Sequence, residues 1–410
     1  MEGKVLTVFT ISFPYGNGEH FLHNEILHLS KQFEKIVIFP MNSLNMEMSS
    51  VNLPVNVEVV NFNMFQPYNR ITTLFSHIGL IIKLYGLEIL KSPVRWHYLF
   101  QFKKTLNELT HKISVAQKLE TYLQLNNQKL EIAYTYWFNQ WTFILSLLHK
   151  DKPEFNLYTR IHGMDVYEEQ HSEKGFFFQF RTFQLTQIKK VLAISLDGKN
   201  HLLKSNNISE DKISVLRLGT EDYGLGKIEK LNCIRIVSCS GFQSYKRVHL
   251  IIEILSYMKE RIEWIHFGDG ELEKEILSKS NSLPENITFN YMGFKTNSYI
   301  MDYYQSHHVD LFINVSETEG VPVSIMEAIS FGIPVIATNV GGVKEIVNNQ
   351  TGFLTPKHFD TKDVSSQIAD YFKLSGDDKQ ILRNSTRKFW TLNYNASNNY
   401  NSLYNEITSV

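Results

Sequence analysis

Glu327 is the only charged residue between Gly320 and Val343. It belongs to the segment SETEGVPVSIMEAISFGIPVIATNVGG (316–342), in which Val323, Met326 and Glu327 share one helix face and Gly332 and Pro334 end the helix. A carboxylate on an apolar helix needs hydrogen-bond donors. Either backbone and neighbouring side chains supply them, or two ligand hydroxyls do, as from a ribose. Pro322 suits the first helical turn, so the helix starts just beyond the strand LFINV (311–315). Free N–H groups and the helix dipole make such a place an anion site. Glu327 lies ~7.5 Å further along the axis at 1.5 Å per residue, which suits phosphates at the helix start and a ribose deeper. Glu319, in the loop before the helix, then faces whatever the outer phosphate carries.

Other constellations carry less chemistry. Gly16-Asn17-Gly18 follows the first strand, but Phe21 stands where a dinucleotide fingerprint needs its third glycine. No acid ends the second strand (IFPMN), so a ribose-binding carboxylate is missing there as well. Arg160-Ile161-His162-Gly163-Met164-Asp165 closes another strand; His162 and Asp165 are candidate ligand contacts, and Arg160 is a candidate core ion-pair residue. Asp269, between Gly268 and Gly270, reads equally as a helix cap. His307-His308 lacks a third ligand at usable spacing, and no two aspartates are two apart anywhere in the chain. No metal or other cofactor is expected.

The elements that must hold these residues alternate between strand and helix. In the first half we expect strands at 4–13, 36–39, 55–62, 132–136, 155–161 and 191–194, with helices at 19–32, 138–149 and through most of 70–126. In the second half we expect strands at 234–238, 264–267, 287–291, 311–315, 334–337 and 353–355. Short apolar runs alternating with helices indicate parallel sheets covered on both faces. Two such arrays indicate an α/β chain of two doubly wound domains facing across a cleft. The expected bounds are 1–222, 223–386 and a terminal helix, 387–410, that crosses back to the first domain.

Composition agrees with a globular chain: 43% of the 410 residues are hydrophobic and 20% charged. Lys+Arg 41 against Asp+Glu 42 leaves a formal net charge of −1, so no global field holds nucleic acid and any anion needs a local site. Val5–Phe13 is apolar but lacks the flanks of a signal peptide. No run reaches the ~18 uncharged apolar residues of a membrane span. Two cysteines, Cys233 and Cys239, fit a reducing cytosol. Residues 70–112 hold seven Lys/Arg and two Glu among many apolar residues. We read them as first-domain helices with one solvated face; the other reading is peripheral contact with an anionic membrane at the inner face.

Glu319 and Glu327 form E-x7-E within EGVPVSIMEAISFGIPVIATNVGGVKEIV (319–347), which closely resembles the family 4 retaining glycosyltransferases. FPYGNGEHFLHNEI, RIHGMDVY, SVLRLGTE, SCSGFQSYKRV and HFGDGELE extend the resemblance, more weakly, over nearly the whole chain. It implies the GT-B fold of two facing Rossmann-like domains. It further implies a metal-independent transfer of a sugar, with retention, from a nucleotide-diphosphate sugar to a hydroxyl of a sugar or lipid-linked sugar, as in cell-surface polysaccharide or glycolipid synthesis. By position, Glu319 contacts donor-sugar hydroxyls, Gly320 and Val321 line the sugar, and the N–H groups of Val323 and Ser324 meet the diphosphate. Glu327 holds the ribose and Lys246 neutralises the diphosphate. Gly293 and Phe294 read the base, Gly16 and Gly18 approach the phosphates, and His162 lies near the donor sugar. The family usually carries an Arg five residues before that Lys. Here the place is Gly241, and Arg247, beside Lys246, is the available substitute. The missing Arg favours the alternative of a non-catalytic sugar-nucleotide-binding or scaffold subunit; a sugar-nucleotide epimerase of related fold is a third reading.

Overall fold

The computed structural model describes residues 4–16, 19, 21–42, 52–151, 153–168, 171 and 176–409. They divide into two compact units, 1–216 with 400–410, and 217–399.

The first unit is built on seven strands: β1 (Val5–Thr10), β2 (Lys35–Pro40), β3 (Val57–Val59), β4 (Ile132–Thr135), β5 (Asn156–Ile161), β6 (Lys190–Ala193) and β7 (Ile213–Val215). They form one all-parallel sheet in the order β3-β2-β1-β4-β5-β6-β7. The central strands are buried along almost their whole length, which is why they read as unbroken apolar runs. Trp141 anchors the core on one face, its ring 5.0 Å from that of Phe9.

The second unit has six strands: β8 (Ile234–Cys239), β9 (Ile262–Phe267), β10 (Ile287–Gly293), β11 (Leu311–Asn314), β12 (Val335–Thr338) and β13 (Gly352–Thr355). They too are all parallel, in the order β10-β9-β8-β11-β12-β13. The strand order reverses between β8 and β11, and Leu311 pairs with Ile236 there. At such a reversal, successive loops leave the carboxyl edge in opposite directions and open a crevice. The loops after β8 and β11 carry Lys246 and Glu319.

Three differences from the expected layout have physical reasons. β7 has only three residues, too few to show a period. The chain passes between units at Leu216/Arg217, ahead of residue 222, because Thr220 pairs with Asn395 and accepts a hydrogen bond from Trp390 Nε1 at 2.8 Å. The expected terminal helix is two helices, Gly376–Asn393 and Ala396–Thr408, separated at Tyr394-Asn395. Only residues 400–410 group with the first unit, where Tyr400 and Tyr404 pack on His28 and Phe33.

Candidate active site

In the second unit the functional residues sit on two loops and one helix. The helix Val323–Ser330 begins right after Pro322, which is extended (ψ 121°) and so precedes the first turn. The first helical bonds are Ile325 and Met326 N–H to Pro322 O. Val323 and Ser324 therefore present N–H groups that no carbonyl four residues back can reach. Glu327, one turn on, is buried on this helix, and Asn297 Nδ2 donates to its Oε1. Burial pushes the Glu327 carboxyl up to about 7, against the lowering effect of that amide.

Lys246 Nζ lies 2.6 Å from Glu319 Oε1, and Asn314 Nδ2 approaches the same oxygen at 3.4 Å. The two loops that bear this ion pair are stitched together. Glu317 N–H donates to Tyr245 O at 2.7 Å. Arg247 takes a left-handed conformation (φ +50°) that turns its side chain away from that of Lys246. Its guanidinium donates to the carbonyls of Val315, Ser316 and Lys357 at 2.7, 3.1 and 3.0 Å. Arg247 thus braces the loop that carries Glu319, and three of its donors are spent on backbone. At Gly241 the side chain of Gln243 folds over the residue, within 2.5 Å of where a Cβ would sit.

Two glycines shape the Glu319 loop from behind. Gly341 (φ +49°) passes so close that a Cβ would lie 2.0 Å from Glu319 O, and Gly342 N–H donates to Gly320 O at 2.9 Å. Val321 is buried against this turn. The GDG loop, 268–270, packs in the same way on the backbone of 240–242. Asp269 contributes its carbonyl there, accepting from Phe242 N–H at 2.7 Å. Gly293 (φ +64°) ends β10 and leaves Phe294 largely exposed.

The first unit gathers its candidates at the carboxyl ends of β1, β4 and β5. His162 is buried, with Nε2 3.1 Å from Tyr136 O and its ring 4.4 Å from that of Trp137. A carbonyl only accepts, so Nε2 carries the proton and Nδ1 is an acceptor. Desolvation and the nearby Arg160 charge pull its pKa down to about 3, so the ring is neutral and cannot act as an acid. Asp165 Oδ2 accepts from His162 N–H at 3.2 Å, which fits a structural cap. Arg160 is a core residue: it is fully buried, 3.3 Å from Glu25 and 2.6 Å from the Tyr134 hydroxyl. Gly16 takes φ +63° in the turn after β1, and Gly18 lies outside the described residues.

Sequence reasoning passed over Glu19, although it stands in the same glycine-rich turn. Its carboxylate is buried and accepts from the N–H groups of Ile11, Ser12 and Phe13 at 3.1, 2.6 and 2.7 Å, and from Trp137 Nε1 at 2.5 Å. Glu19 is the bracket that fixes the β1 turn to the β4 end. Glu19→Ala leaves these buried donors unpaired and is expected to cost about 3 kcal/mol of unfolding free energy, read by denaturant titration. An unchanged midpoint would show that the turn holds its shape without the carboxylate.

Two all-parallel doubly wound units give the chain the GT-B fold, and solved structures share it over nearly the full length. Anabaena Alr3699/HepE in complex with UDP superposes with a TM-score of 0.69 at 15% identity, covering 99% of this chain and 100% of that one. The lipopolysaccharide outer core galactosyltransferase WaaB, in its apo form, gives 0.67 at 15% identity, covering 98% and 99%. At the sequence level, residues 228–389 match the family model described as Glycosyl transferases group 1. The amylovoran biosynthesis glycosyltransferase AmsK of Erwinia amylovora is 28% identical over 170 residues, 38% of this chain and 41% of that protein. The N-acetyl-alpha-D-glucosaminyl L-malate synthase of Bacillus anthracis is 25% identical over 218 residues, 49% of this chain and 54% of that protein. The chain spans about half the length of these curated relatives.

Proposed function

We propose that this chain is a retaining glycosyltransferase of family 4, which moves a sugar from a nucleotide-diphosphate sugar to a hydroxyl of a sugar or lipid-linked sugar in cell-surface polysaccharide or glycolipid synthesis. The observation that carries the reading is the clustering, on the switch-point loops of one sheet, of a Lys246–Glu319 ion pair and a helix whose buried Glu327 lies one turn beyond its free N–H groups. Glycosyltransferase names among the relatives, and UDP bound to a protein of the same fold, support it.

In this assignment Val323 and Ser324 N–H and Lys246 hold the diphosphate and Glu327 accepts the ribose hydroxyls. Gly293 and Phe294 meet the base, while Glu319, Gly320 and Val321 hold the donor sugar. The first unit's candidates, His162, Gly16 and Gly18, are assigned to the donor by resemblance alone. Arg247 acts through the Glu319 loop. The donor's C1–O bond to phosphate breaks as the acceptor oxygen bonds to C1 on the same face. The acceptor proton passes to the departing phosphate oxygen. The protein supplies fixed charge and orientation, with no metal and no obligatory general base.

Glu327 gives the direct test. Its folded pKa of about 7 lies above the ordinary value of 4.5, so the stability contributed by the protonated form is full below pH 4.5 and is lost as pH rises through 7. Ribose hydroxyls donate to the ionised form, so nucleotide binding should expel a proton and tighten between pH 6 and pH 8. Glu327→Gln is expected to weaken nucleoside diphosphate binding by about 1–3 kcal/mol at the alkaline end and to flatten that pH dependence. Calorimetry with a panel of nucleoside diphosphates, wild type against variant, reads both. Unchanged affinity would return Glu327 to a purely structural role with Asn297.

A further inference from the structure

The first unit holds a cavity of about 540 Å³ that no step of the proposed transfer uses. It lies at the amino-terminal edge of the sheet: Leu130 and Glu131 come just before β4, and Glu154 and Phe155 just before β5. Tyr136, Trp137 and His162 stand at the opposite, carboxyl edge. The helices Phe102–Leu125 and Gln140–Asp151 form two of its walls. His77 Nδ1 donates to Thr73 O at 3.1 Å, which leaves Nε2 to accept from the Gln117 amide at 3.2 Å. That bond ties the junction of helices Arg70–Ser76 and Ile78–Lys91 to the Phe102–Leu125 wall. Beyond the end of that wall Asn127 is left-handed (φ +49°) and turns the chain back, so that Gln128 N–H donates to Leu123 O at 2.9 Å.

Leu80, Ile113, Leu123, Leu148 and Phe155 give the cavity an apolar interior. Packed proteins leave few voids, and aliphatic walls offer water few partners. A molecule that covers these side chains gains the ordinary free energy of apolar burial. The volume falls within the ~300–1,000 Å³ of small-molecule sites. Two helices and a turn bound the recess, so it suits a short chain or a ring rather than the face of another folded chain.

Charge selects the head group. Glu131 and Glu154 are exposed at the cavity, Glu120 lies on its helical wall, and Lys129 is the only Lys or Arg among the described lining residues. Three carboxylates against one ammonium favour a cation and repel an anion. Glu131 accepts from Val5 N–H at 3.3 Å, which orients the carboxylate without cancelling its charge. We propose that this cavity is an accessory binding site for a small amphipathic cation. The ligand is an alkyl- or arylammonium compound whose apolar body enters among the leucines while its ammonium stays with the carboxylates. The site is separate from the carboxyl edge, and the inference does not rest on the proposed function.

Calorimetry of the full chain with phenylbutylamine, phenylbutanol and phenylbutyrate tests this, because the three share one body and differ in head charge. The amine is expected to bind about tenfold more tightly than the carboxylate, with the alcohol between them, and salt should draw the amine toward the alcohol. Glu131→Gln/Glu154→Gln should weaken the amine about fivefold and leave the alcohol unchanged. Leu123→Trp, which fills the cavity, should abolish binding of the amine and the alcohol, with thermal melting confirming that both variants fold. Should Leu123→Trp fail to fold, the charge variant decides alone. Absence of amine binding to wild type, equal affinity for amine and carboxylate, or an undiminished amine affinity in either variant overturns the proposal. So does a dimer in light scattering that Leu123→Trp dissociates, since a second copy would then fill the recess. Binding is read without donor or acceptor, so its failure and a failure of glycosyl transfer are separate results.

Discussion

Glu319→Gln is expected to lower kcat/KM for sugar transfer by about 1,000-fold while affinity for the free nucleoside diphosphate holds or tightens. Glu319 occupies Lys246 at 2.6 Å, with Asn314 close to the same oxygen. A diphosphate must compete for that ammonium. Removing the carboxylate charge removes the competitor, so the bare nucleotide loses nothing. The sugar loses the acceptor that orients its hydroxyls as positive charge builds at C1, and the cost falls on the transition state. Calorimetry for the nucleotide and a product-release assay for transfer separate the two effects. Weaker nucleotide binding in the variant would move Glu319 from the sugar to the phosphates.

Lys246→Ala is expected to reduce kcat by about 100-fold with a much smaller change in donor KM, because diphosphate charge grows as the glycosidic bond breaks. Lys246→Arg should recover part of the loss. Arg247 cannot compensate: its guanidinium is held on the carbonyls of Val315, Ser316 and Lys357. With the charge met by Lys246 and the helix start, wild-type turnover should be the same in EDTA. Activity lost in chelator and restored by Mn²⁺ would mean that a cation does the work assigned to Lys246.

The sheets were legible because strands covered on both faces must be apolar throughout; IRIVSC (234–239) admits few other readings. β7 was not, since Ile213–Val215 owes its place to pairing with β6. Glu327 stood out as a lone charge on an apolar helix. Its partner Asn297 did not, because thirty residues separate them and only the fold brings the amide to the carboxylate. The Lys246–Glu319 contact was hidden for the same reason, across seventy-three residues. Arg247 illustrates the opposite limit. Its type fits an anion, but a left-handed backbone angle decides where the guanidinium goes, and no side-chain pattern encodes that angle. The outer side of residues 70–104 was read as a solvated face, and it is exposed, but a count of charges does not say which residues lie on it. The structure spends Glu88 and Tyr85 inward and leaves the bulky apolar residues outward.

The Lys246–Glu319 pair also bears on product inhibition. A nucleotide sugar, on the proposed assignment, draws Lys246 to its phosphates and offers Glu319 hydroxyls in exchange, so both charges keep partners. Once the sugar has left, the nucleoside diphosphate still holds Lys246 but gives the carboxylate nothing, and Glu319 is only 10% exposed to water. A nearly buried carboxylate left with only the Asn314 amide, beside a newly charged phosphate, is costly. On the proposed assignment, re-forming the ion pair would therefore help to expel the spent nucleotide. On that assignment the contact would act as a spring against retention of product, so that transfer would continue where free nucleoside diphosphate accumulates.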